Sequence, residues 1–228
     1  MSNTLKSLKL TRKDGKIVDV TFYDNSDIES VEILDIKKLR FEGMKTKDIT
    51  KSHIQKEVFN GEEKIYIKNK KSGMVAGLSK KHLNKIISTV FTKDKEGKFG
   101  YLKKEIVSNV NTIFCAAVPI LKHPELKKPL LFNTQLIHRF ALPLKIGGLT
   151  FLVMITAKER TDYKDLLIDE FSIYDLYSEH HEIKKPLDSP STASVDKSMT
   201  FRSHYQVDTY SINDLVQFVN LNVTKYQR

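Results

Sequence analysis

The sequence predicts an α+β fold, with helices packed on a mainly antiparallel sheet and a small β-rich extension at the N-terminus. Three observations point there. Gly147-Gly148 separates two runs of β-formers, Ile137–Ile146 and Leu149–Lys158, the pattern of a hairpin. Two stretches with helical spacing precede that hairpin, one opened by Ser79 and one running from Tyr101 to about Leu121. Leu8 and Leu10, then Asp14-Gly15, then Ile17, Val18, Val20 and Phe22 spell a second hairpin within residues 5–23, with Asp-Gly supplying the positive φ angles of a tight turn.

The elements follow in order. After the first hairpin, Ser30–Leu34 is a plausible third strand, and Ile49, Ile54 and Val58 give Asp48–Phe59 a helical stripe that stops at Asn60-Gly61. A short strand is expected at Lys64–Lys68. Ser72-Gly73 follows, and Ser79 caps a helix whose inward stripe is Leu83, Ile86, Ile87 and Val90. The second core helix turns Ile106, Val110, Ile113, Phe114 and Ala117 inward, and Pro119 should end or kink it. In Leu149–Lys158 both faces are apolar, which predicts a central strand covered on both sides, or covered on one side with a partner on the other. Phe171–Ser178 supplies the next strand. Residues 184–208 read as a loop with Pro186, Pro190 and Ser189-Pro190-Ser191-Thr192-Ala193-Ser194. The capping pattern Ser211-Ile212-Asn213-Asp214 then opens a final helix that docks back on the sheet. The expected organisation is an extension at 1–60, a core at 61–183, and a loop with docking helix at 184–228.

Composition narrows the function classes. The 228 residues carry 40% hydrophobic residues, enough for a core, and no run of about eighteen apolar residues. The chain therefore reads as a soluble protein of the bacterial cytoplasm, unless a secretion or phage system delivers it. A single cysteine, Cys115, sits in an apolar run, excludes an internal disulfide, and reads as a core thiol. The net charge of +10 is uneven: residues 1–110 hold 24 Lys/Arg against 15 Asp/Glu, residues 111–228 hold 14 against 13. A basic first half suits a polyanion such as nucleic acid, and equally suits plain solubility. GxxxxGK[ST], GxGxxG and GxSxG are all missing, which removes the usual support for P-loop, dinucleotide-binding and serine-hydrolase readings. His180, His181 and His204 lack the spacing of a metal site, so neither metal nor cofactor is expected.

The chemistry-bearing residues cluster in 137–177. Cleavage of RNA by its own 2′-hydroxyl needs a base, an acid and cations at the phosphorane, and no metal. His138, Arg139, Lys158, Glu159 and Tyr174 are of those types. A hairpin turning at 147-148 pairs residues whose numbers add to 295, so His138 falls opposite Ala157 and both motifs reach the end of the sheet far from the turn. Neighbours on a strand face opposite sides, so one face cannot hold both members of a pair without a bulge. A polar row that protects a sheet edge would look the same.

The runs Lys64–Asn69, Ser72–Ala76, Leu78–Lys80 and Asn84–Ser88, with His138-Arg139-Phe140, Gly148, Ile155–Glu159 and Ile173-Tyr174, resemble the phage-type barnase–EndoU–colicin–RelE nuclease domains found at the ends of large polyvalent proteins. The resemblance covers roughly residues 62–182. It implies two helices on a sheet of about four strands and metal-independent endoribonuclease chemistry, in an effector or toxin of a phage or mobile element. It casts His138 as general acid or base, Glu159 as its partner, Lys158 as phosphate clamp and Tyr174 as a positioning group. Lys85 and Arg139 would be substrate-binding. An acidic insertion, Asp162–Glu170, departs from the family pattern. RNA and a protein partner or antitoxin are the implied partners, with no membrane. The alternative is a catalytically silent module that binds nucleic acid or protein.

Overall fold

Val118, Ile120 and Leu121 are fully buried, although they sit on alternate sides of one short strand. A strand apolar on both faces belongs inside a sheet, and this one recruits the N-terminal hairpin to the rest of the chain. A computed structural model describes residues 7–11, 15–37, 39–41, 43–44, 49–92, 100–124, 134–160, 165–175 and 209–224. Its strands are β1 (Ser7–Thr11), β2 (Ile17–Phe22), β3 (Ser30–Glu32), β4 (Leu34–Ile36), β5 (Lys64–Lys68), β6 (Val75–Ser79), β7 (Val118–His123), β8 (Thr134–Ile146), β9 (Leu149–Arg160), β10 (Leu166–Asp175) and β11 (Thr209–Ser211). Its helices are α1 (Lys51–Phe59), α2 (Lys80–Thr92), α3 (Gly100–Ser108), α4 (Val110–Ala116) and α5 (Ile212–Thr224).

Nine strands form one mixed sheet in the order β1-β2-β7-β8-β9-β10-β6-β5, with β4 parallel to the far end of β8. β11 and β3 make a separate pair. The expected α+β arrangement of helices on about four strands is therefore wrong: the protein is mostly β, and its helices are short. Two features of the chain account for the difference. The N-terminal hairpin is no extension, because Thr21 and Phe22 pair with Lys122 and Leu121 and make β1-β2 one edge of the sheet. The helix expected to run to Leu121 also stops early. Asn109 breaks it by donating its side-chain amide to the Glu105 carbonyl at 2.7 Å, and Ala117 is extended (φ −63°, ψ 148°). Pro119 then lies in β7, at the irregularity between Pro119 and Leu121 in the pairing with β8, where a missing N–H costs least.

Other boundaries follow local chemistry. Thr50 caps α1 by accepting from His53 N, and Asn60 ends it in the left-handed conformation (φ 46°). Ser79 caps α2 through His82 N, and Ser211 accepts from Asn213 N at the start of α5. α5 packs against β7 and β8. The first hairpin pairs Leu10 with Val18, one residue out of register with a two-residue Asp14-Gly15 turn, so 12–16 connect its strands. The second hairpin has the expected register, Ile146 opposite Leu149 and His138 opposite Ala157. Gly147 (φ 55°) and Gly148 (φ 79°) take the two positive angles of its turn. Gly148→Ala meets open space yet keeps that φ, so it should cost about 1 kcal/mol, read as a lowered urea midpoint with unchanged slope.

Candidate active site

β8 and β9 are the central pair, and pleating sorts their side chains onto two faces. His138 opposes Ala157, with Lys122 beside it on β7. Glu159, two residues beyond Ala157, shares that face and accepts a hydrogen bond from His138 Nε2 at 3.1 Å. Tyr23, just past β2, places its hydroxyl on His138 Nδ1, and the same hydroxyl lies 3.9 Å from Met74 Sδ. Lys122 Nζ sits 6.0 Å from the centre of the Tyr23 ring. The result is a row, Tyr23–His138–Glu159, across the sheet end remote from the Gly147-Gly148 turn. His138 is 6% exposed, whereas the Glu159 side chain is 37% exposed, so the row opens to solvent through its carboxylate.

The environment tunes these groups. Burial lowers the His138 pKa, the Glu159 hydrogen bond and charge raise it in part, and Lys122 pushes it down again. The net effect is below the ordinary histidine value. At neutral pH the imidazole is mostly uncharged, with its proton on Nε2 toward Glu159 and Nδ1 accepting from Tyr23. Burial and the Glu159 charge raise the tyrosine pKa far above normal, so the phenol stays protonated.

The opposite face holds two other groups. Arg139 is 7% exposed and donates from Nη1 to Thr156 Oγ1, with Nε 3.4 Å from His123 Nε2. These contacts hold its guanidinium within the sheet, on the face away from Glu159. His123, 1% exposed, bonds through Nδ1 to the Pro124 carbonyl at 2.6 Å. Burial and then the Arg139 charge lower its pKa to about 4. The unfolded chain therefore takes up a proton between about pH 6.5 and 4 that the folded chain refuses, so acid destabilises the fold over that window. With 1.36 kcal/mol per pKa unit, His123 alone should cost about 3 kcal/mol between pH 6.5 and 4. Urea titrations at pH 7 and pH 4.5 should show this loss, and a His123→Gln protein that loses as much would refute it.

Lys158 also points away from Glu159. It opposes Ile137 and Leu167, and its Nζ lies 2.9 Å from Asp169 Oδ2. Lys85 of α2 binds the other oxygen of Asp169 at 2.6 Å. The β9–β10 register shifts between Ile168 and Glu170, which leaves Asp169 at the irregularity and aims it at both lysines. Burial raises the Asp169 pKa, but the two lysines outweigh it and hold the carboxyl below its usual value. Tyr174 pairs with Leu152, about 20 Å along β9 from Lys158 at strand rise, and its side chain is outside the described residues.

Of the six residues singled out in the sequence, the fold thus unites His138 with Glu159, and Lys85 with Lys158 on the other side. Tyr23 and Asp169 were missed. No local signal marks Tyr23, because a pairing across about 100 residues brings it to His138. Among the described residues no cluster of three or more His, Cys, Asp or Glu is placed to hold a metal ion, and no helix is long and apolar enough to cross a membrane. His180, His181 and His204 lie outside the described residues.

Residues 44–167, more than half of the chain, match the family described as large polyvalent protein-associated domain 3. The chain belongs to that family. In this member of the large polyvalent protein-associated domain 3 family, the matched span includes Lys85, His138, Arg139, Lys158 and Glu159 and leaves out Tyr23, Asp169 and Tyr174. The description names an association with large polyvalent proteins and no reaction. Comparison with curated proteins found no match, nor did comparison with solved structures.

Proposed function

We propose that the protein is a metal-independent endoribonuclease of a phage or mobile element, acting as an effector or toxin-like domain, with Glu159 and His138 as its acid–base pair. The observation that carries the reading is the 3.1 Å hydrogen bond between His138 Nε2 and a Glu159 carboxylate that is open to solvent. In this scheme the Glu159 carboxylate takes the proton of the 2′-hydroxyl, and the 2′-oxygen attacks the adjacent phosphorus. The His138 imidazolium gives a proton to the departing 5′-oxygen, and the Lys122 ammonium stabilises the phosphorane. Products are a 2′,3′-cyclic phosphate and a 5′-hydroxyl end. Glu159 then returns its proton to His138 across their shared hydrogen bond. The Tyr23 hydroxyl serves both states of the ring, donating to Nδ1 when it is bare and accepting from it when it is protonated.

A second reading, a silent module that binds RNA or a protein partner, gains from the pairing of Lys85 and Lys158 with Asp169 and from the burial of Arg139. One experiment separates them. The chain is incubated with mixed RNA in EDTA, and the products are tested for cyclic phosphate ends. Cleavage in EDTA supports the enzyme, whereas loss of cleavage in EDTA overturns the metal-free scheme. RNA binding with steep salt dependence and no cleavage supports the module.

A further inference from the structure

A cavity of about 130 Å³ opens between the start of β5, the β6–α2 junction and the strand ends at Arg160 and Leu166. Its polar wall is Lys64, Ser79, His82, Arg160 and Asp165. At about 30 Å³ per water it has room for roughly four waters. That suits one tetrahedral oxyanion, and it falls well short of the ~300–1,000 Å³ that encloses a whole small-molecule ligand.

Three features make this wall favourable to an anion. The first is charge. Lys64 and Arg160 face Asp165, while the neighbouring Asp169 is already shared by Lys85 and Lys158. The wall thus carries two cations and one carboxylate. The second is donor supply. Ser79 Oγ accepts from His82 N at 3.4 Å and lies 2.8 Å from His82 Nδ1, so in either tautomer the pair keeps one hydrogen to give, from His82 Nε2 or from Ser79 Oγ. Burial, and then Lys85, Lys81 and Arg160, lower the His82 pKa against the pull of Asp169, so the pair donates without needing a charge. The third is how Lys64 is held. Its Nζ lies 4.4 Å over the Tyr66 ring, and its stem crosses Gly77 so closely that a Cβ there would stand 2.9 Å from Lys64 Cε. A side chain at residue 77 would push the ammonium from its seat.

We propose that this cavity is a binding site for a terminal phosphate group, a phosphomonoester carried by a nucleotide or by the 5′ end of a nucleic acid strand. It lies on the Lys158 side of β9, apart from the Tyr23–His138–Glu159 row, and stands whether or not that row cleaves RNA. An anionic monoester suits a wall of two cations and neutral donors, and the volume admits the phosphate while the rest of the ligand stays outside.

The test is calorimetric titration of the full chain with inorganic phosphate, 5′-AMP, and a short oligonucleotide with and without a 5′-phosphate, at constant ionic strength. The three phosphate-bearing ligands should bind. Lys64→Gln and Arg160→Gln, each checked for fold by circular dichroism, should weaken binding at least tenfold. Gly77→Ala keeps every charge and should weaken it several-fold by displacing Lys64. Glu159→Gln should bind phosphate as the wild type does, which separates this site from the proposed nuclease. An oligonucleotide that binds more tightly than 5′-AMP identifies a strand end as the ligand, and equal affinity identifies a mononucleotide. The proposal falls if the phosphate ligands bind no better than chloride. It falls equally if the 5′-hydroxyl oligonucleotide matches its phosphorylated twin, or if the lysine and arginine variants bind like wild type.

Discussion

Glu159→Gln is expected to slow RNA cleavage by about a hundredfold to ten-thousandfold, the usual worth of a positioned general base. The substitution is nearly isosteric and leaves an acceptor oxygen for His138 Nε2, so the fold and the imidazole position should survive. What disappears is the carboxylate that can hold the 2′-hydroxyl proton. His138→Ala should fall comparably, because the acid and the holder of Glu159 leave together. The pH profile gives an independent reading. The proposed scheme needs the imidazolium, and burial sets the His138 pKa below the usual 6.5. The wild-type rate should therefore decline with rising pH from a midpoint under 6.5, and His138→Ala should lose that limb. A rate flat from pH 5 to 8, or full activity in Glu159→Gln, would remove this pair from the chemistry.

Asn69→Ala should be the most damaging single change to stability away from the site, costing about 4 kcal/mol. Asn69 is fully buried. Its amide donates to the carbonyls of Phe114 and Ala117, both at 2.7 Å, where α4 ends and its last carbonyls lack a partner within the helix. Its oxygen accepts from Lys71 N, Ser72 N and Ser72 Oγ. Truncation orphans two buried carbonyls at about 1–3 kcal/mol each and loosens the turn besides. Asn69→Asp keeps the acceptor side and sets a carboxylate against the two carbonyls, so it should be equally harmful. The turn also carries Met74 to Tyr23, so destabilisation should reach the His138 row. Urea unfolding of the two variants measures this, and a loss below about 1 kcal/mol in both would contradict it.

What was legible in the sequence is what local chemistry decides. Gly147-Gly148 with β-formers on either side set the β8–β9 register, and that register delivered His138 and Glu159 to one place. Lys64–Lys68 and the stop of α1 at Asn60 were equally plain, since each rests on adjacent residues. β6 was not. Val75-Ala76-Gly77-Leu78-Ser79 has little β-propensity and no alternation, and only its place between β5 and β10 makes it a strand. β7 continued the apolar run of α4, and an apolar run alone does not separate a buried strand from a helix. At the site, the alternation rule foretold that Lys158 and Glu159 would part company. Which cation would join His138 depended on the β7 register, and the answer was Lys122.

The order of strands also ranks the contacts by how long the chain must wait for them. The β8–β9 hairpin joins residues that are neighbours in the chain, and such units form in about 1–10 μs. Phe22 meets Leu121, and Ala76 meets Leu166, only after loops of about 90–100 residues have closed. Distant pairings of this kind set the pace for sheet proteins. Both flanks of the sheet are thus late arrivals on a hairpin that is ready early. His138 gains its tyrosine in one of those late closures, so the assembled row reports on the last stage of folding rather than the first.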